Sequence, residues 1–147
     1  MMYAAGARLA FSRFSVLVLA SAMLGCVSHL PEIPPDVSIG AVRALPTPRV
    51  EPKDAPPTIQ AMHFSTLQAR RGHQFSGEFT TGTNVASVEV RTNLFSIDVP
   101  RTGYGRFAFT LNVLDAPPIF IRAYRLRVIA RNSAGTEFEQ DLPFEIR

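Results

Sequence analysis

Between Gln74 and Ala130 apolar and polar residues alternate in short runs, and a side-chain period of two belongs to a strand with one buried face. Phe75, Gly77 and Phe79 alternate with Gln74, Ser76 and Glu78. Val88 and Val90 stand between Ser87, Glu89 and Arg91, and Phe95, Ile97 and Val99 between Ser96 and Asp98. Phe107, Phe109, Leu111 and Val113 form a fourth such series, and Tyr124, Leu126, Val128 and Ala130 a fifth. A first strand over Ile59 to Thr66 and a last over Thr136 to Ile146 bring the count to seven. No stretch here has a helical period. Seven short strands in roughly 90 residues predict an all-β fold, a single antiparallel β-sandwich.

The last hairpin can be read to the residue. "ARNSAGTEF" turns through Asn132, Ser133, Ala134 and Gly135, which suits a type I turn with Gly135 in the left-handed region making a bulge. That turn sets Arg131 opposite Glu137 and Arg127 opposite Asp141 on the wet face. Ala130 then meets Phe138, Leu126 meets Leu142 and Tyr124 meets Phe144 inside. A slip of one residue would bury the arginines. The arginine row therefore reads as a charge-paired outer face, and such exposed pairs add little stability.

Composition breaks ahead of the strands. Residues 27–57 hold 8 of the 12 prolines and no aromatic residue. Proline removes backbone donors and fixes φ, so neither helix nor sheet is expected there. The segment reads as a semi-rigid tether, and about 3.1 Å per residue gives it a reach approaching ~100 Å. The expected organisation is residues 1–25, residues 26–57, and a folded domain over residues 58–147.

The only cysteine, Cys26, precedes that tether. A disulfide within the chain needs a second cysteine, and His29, His63 and His73 are too scattered for a metal cluster. A catalytic thiol needs an ordered pocket, yet Pro31, Pro34 and Pro35 follow at once. Upstream, Arg8 and Arg13 form a basic start without acids, followed by eleven uncharged residues from Phe14 to Leu24. Gly25 then stands before the cysteine. This is the layout of a secretory signal, too short to cross a bilayer comfortably, which takes roughly 20 residues.

"MLGC", Met23 to Cys26, resembles the lipobox of bacterial lipoproteins. The resemblance covers the first 26 residues; Met23 replaces the usual Leu, and Leu24 is bulkier than the usual Ala or Ser. It implies that Cys26 receives a diacylglyceryl group and becomes the mature N-terminus, with membrane lipid as its partner. Two acyl chains suffice for stable anchoring. Val27 is not the aspartate that signals inner-membrane retention in enteric-type bacteria. The implied location is therefore the outer membrane where the host has one, and otherwise the plasma membrane.

The formal charge of +3 invites a nucleic-acid reading. Loss of Arg8 and Arg13 with the signal leaves thirteen basic and twelve acidic side chains, so no nucleic-acid partner is expected.

"YRLRVIARNSAG", Tyr124 to Gly135, resembles the penultimate strand and following turn of immunoglobulin-like and fibronectin type III-like domains. The resemblance extends over residues 58–147. It implies that the Tyr124 hydroxyl bonds backbone in the preceding connection, with Leu126 in the core and Ile119 and Ile121 covering the corner. The chain departs from antibody-type domains: no cysteine pair bridges the sheets, and Val88 or Val90 stands where those domains place Trp.

Chemistry is sparse. His63 falls on the polar side of a Met62/Phe64 alternation and His73 precedes a strand, so both are expected at the surface. No phosphate loop, metal-spaced cluster or nucleophile motif appears, and neither catalysis nor a cofactor is expected. Two functions remain: a module that presents loops or an edge strand to an envelope protein, and a glycan or small-molecule binder. "RTGYGRF", with Tyr104 between glycines and on the outward parity of Arg106, is the candidate binding loop.

Overall fold

The computed structural model describes residues 31–41, 44–113 and 120–147. Cys26 and the expected signal lie outside them. The described residues are all-β, with ten strands in two five-stranded sheets. The strands are β1 (Val37–Ile39), β2 (Ile59–Phe64), β3 (Gln68–Ala69), β4 (Gln74–Thr81) and β5 (Val85–Arg91). They continue with β6 (Ser96–Val99), β7 (Arg101–Gly103), β8 (Arg106–Asn112), β9 (Ala123–Asn132) and β10 (Glu137–Ile146). One sheet runs β1-β2-β4-β8-β7 and the other β3-β10-β9-β5-β6. All seven expected strands are present. The count is corrected by β1, β3 and β7, each of two or three residues, too short for an alternation to announce them.

Inward-facing residues of both sheets build one core. Met62, Phe64, Phe75, Phe79 and Phe107 from one sheet meet Val88, Val90, Leu126, Val128 and Leu142 from the other, all buried. Phe75 and Phe144 touch across the sheets with ring centroids 5.1 Å apart. Gly77 has a steric reason: a Cβ there would stand 2.6 Å from Phe109 Cε1 and 3.1 Å from Phe64 Cδ1. Glycine lets the two rings close over the backbone.

The β9–β10 register is the expected one, with Arg131 opposite Glu137, Arg127 opposite Asp141, Leu126 opposite Leu142 and Tyr124 opposite Phe144. The Asn132 side chain closes the turn by accepting from the Ala134 and Thr136 amides at 3.1 and 2.9 Å, and Gly135 has φ +82°. Phe138 is a correction. It pairs with Ala130, yet near the start of β10 it remains 37% exposed.

The proline-rich segment departs most from expectation. β1 pairs in parallel with β2, Val37 opposite Met62 and Ile39 opposite Phe64. Further along, the Pro46 carbonyl accepts from Arg106, the Arg49 carbonyl from the Thr83 amide, and the Ala55 carbonyl from the side chains of Asn84 and Asn132. Proline does not forbid pairing along a sheet edge. Residues 31–41 and 44–57 thus contact the sheets at many points, and the long-spacer reading does not hold for them.

Candidate binding loop

Tyr104 and Gly105 form the two-residue turn between β7 and β8. Tyr104 is 82% exposed. Its mounting is rigid for three reasons. Gly105 has φ +60°, and a Cβ there would meet the Thr81 carbonyl oxygen at 2.6 Å and Pro48 Cβ at 2.7 Å, so backbone packs on backbone. The Thr81 amide donates to the Gly105 carbonyl at 2.9 Å. The Arg106 guanidinium donates to the Pro46 carbonyl at 2.7 Å and to Thr80 Oγ1 at 3.0 Å.

Arg106 is therefore half-buried and ties the turn to β4 and to the proline-rich segment, although the sequence placed it beside Tyr104 as an outward binding group. On the other flank, Arg101 lies over the Phe107 ring at 5.3 Å from the centroid and donates to the Val85 carbonyl. Val50, two residues past Pro48, is 89% exposed. An aromatic ring, a proline and a valine are thus offered from one braced end of the molecule.

The remaining predicted residues have structural places. Tyr124 is buried, and its hydroxyl donates to the Phe120 carbonyl at 2.7 Å, inside the connection named from sequence. Ile119 lies outside the described residues, and Ile121 is 41% exposed, so it does not cover the corner. Arg122 does so instead, its guanidinium 5.2 Å from the centroid of the Tyr124 ring. Leu126 is fully buried.

The outer face of β9 is charge-paired as expected. Arg127 Nε donates to Asp141 at 2.8 Å and Nη1 reaches Glu139 at 3.0 Å; Arg131 bridges Glu137 at 2.6 Å and Glu89 at 2.8 Å. Between the two arginines lies Ile129, fully buried although its parity points outward. Its cross-strand neighbours are Glu139 on β10 and Glu89 on β5. Equating outward with wet is what hid this residue from a reading of the sequence.

His63 was missed for the same reason. It is only 5% exposed, and its Nδ1 lies 2.9 Å from Ser38 Oγ on β1. Its cover comes from a strand that the prolines had hidden.

No protein-family model and no curated protein matches the chain. Among solved structures, the fibronectin(III)-like modules of Clostridium thermocellum CbhA are similar to it, at 21% identity over 61% of this chain and 93% of that one, with a TM-score of 0.42.

Proposed function

We propose that the protein is an exported, lipid-anchored module of the immunoglobulin-like β-sandwich type that presents the Tyr104 turn to a protein partner in the cell envelope, without catalysis of its own. The strand orders β2-β4-β8-β7 and β5-β9-β10 support the fold, because they follow the two-sheet arrangement of immunoglobulin-like domains. The basic start, apolar stretch and "MLGC" support the anchor at Cys26.

One observation carries the interaction reading: Tyr104 is almost wholly exposed on a turn that packing and hydrogen bonds hold still. A rigid exposed aromatic loses little entropy on binding and is a frequent centre of binding energy. Edge-strand pairing is the weaker route, because the four edge strands have only two to four residues each.

Affinity enrichment from envelope extracts tests this reading. The wild-type protein should retain a partner that Tyr104→Ala releases, and a soluble glycan that elutes it instead would favour a saccharide platform. Fatty-acid labelling of wild type and Cys26→Ser tests the anchor separately; equal labelling would refute it.

A further inference from the structure

The end of the strands opposite Tyr104 has a different chemistry. The Tyr104 turn lies at the Val85 and Asn132 end of β5 and β9, since Arg101 bonds the Val85 carbonyl and Val85 pairs with Asn132. At the far end, roughly 20 to 30 Å along the strands, a shallow groove of about 600 Å³ is lined by Arg91, Thr92, Asn93, Arg122, Ala123, Tyr124, Arg125 and Arg127. Among the described residues, four arginines border it and no carboxylate does. Arg91 and Arg127 are direct cross-strand neighbours, an arrangement that costs stability unless negative charge lies nearby. Asp141 and Glu139 serve Arg127, while Arg125 reaches Asp141 only at 3.5 Å and Arg91 reaches Glu89 only at 3.6 Å. Among the described residues, Arg122 has no acidic partner.

Apolar side chains ring this end. Ile33, Ile39, Leu94 and Ile121 are between 37% and 48% exposed, four of the seven large hydrophobics exposed among the described residues. Ile33 and Ile39 line a second groove that shares Ala123 with the first. Ile33 is seven residues from Cys26, which even a fully extended chain spans in at most about 25 Å.

We propose that this arginine-rich end is a membrane-facing surface that seats on anionic lipid headgroups. It rests on the anchoring reading for its orientation. The arginines take the headgroup phosphates, the ring of isoleucines and leucine meets the interface, and the Tyr104 turn points away from the bilayer. Anchor and basic surface together then act as two signals for one membrane.

The test uses the full chain carrying Cys26→Ser, so that its outcome does not depend on acylation. Co-sedimentation is compared on vesicles of phosphatidylcholine alone and of equal parts phosphatidylcholine and phosphatidylglycerol. The ratio of the two partition coefficients should fall in Arg122→Gln/Arg125→Gln by about fivefold per arginine, with unchanged circular dichroism, and the difference should vanish in high salt. An unchanged ratio would overturn the proposal. Displacement by inorganic phosphate should match that by chloride at equal ionic strength; selective displacement by phosphate would overturn it in favour of a soluble-anion site. Fatty-acid labelling judges the anchor independently, so the two failures are distinguishable.

Discussion

The Tyr124 hydroxyl donates a 2.7 Å hydrogen bond to the carbonyl of Phe120, four residues upstream, and the Arg122 guanidinium closes over the same ring. One side chain thus ends the connection into β9, fills the core and underlies the arginine groove. Tyr124→Phe keeps the ring and strands the carbonyl, so it should cost about 1 to 3 kcal/mol. Leu126→Ala empties a fully buried position and should cost about 2 to 5 kcal/mol. Arg127→Ala, whose side chain is 37% exposed, should be the mildest of the three. Urea melts check the order, and a reversed order would invert the faces of β9.

Two glycines separate backbone strain from packing. Gly135 has φ +82°, and a Cβ added there would have no neighbour within 4 Å, so Gly135→Ala should cost about 1 to 2 kcal/mol from backbone alone. Gly105→Ala adds a clash with the Thr81 carbonyl and Pro48, and should destabilise more. It should also weaken partner retention while leaving Tyr104 in place. Thermal melts beside affinity enrichment check both effects.

Much of this was legible in the sequence. The β9–β10 register follows from alternation plus one turn, because a period of two leaves no freedom once Gly135 sets the bulge. Tyr124 and Leu126 fall inside for the same reason. Alternation reports only which way a side chain points, so it could not foresee that outward-pointing Ile129 would be buried or that β1 would cover His63. Proline content hid β1, since a three-residue parallel edge needs few free amides. The role of Arg106 depended on Pro46, sixty residues away in sequence, and no local pattern carries such a contact.

Glu89 gives a pH signature. Hydrogen bonds from Ser96 and Arg131, at 2.7 and 2.8 Å, hold its carboxyl below the usual glutamate value, with the charges of Arg91 and Arg131 adding to the effect. A carboxylate depressed in the folded state contributes its stability above the unfolded pKa of about 4.3. That contribution is lost as pH falls through the lower folded value. Glu89→Gln should be less stable than wild type at neutral pH, and the gap should close in acid. A gap that widens in acid would contradict the assignment.

The orientation of the whole molecule, Tyr104 toward a protein and the arginine groove toward the membrane, is tested most directly by a photo-crosslinking amino acid placed in turn at Tyr104 and at Asn93 in growing cells. Irradiation should give a discrete protein adduct from position 104 and none from position 93. A protein adduct from position 93, with none from position 104, would contradict the account.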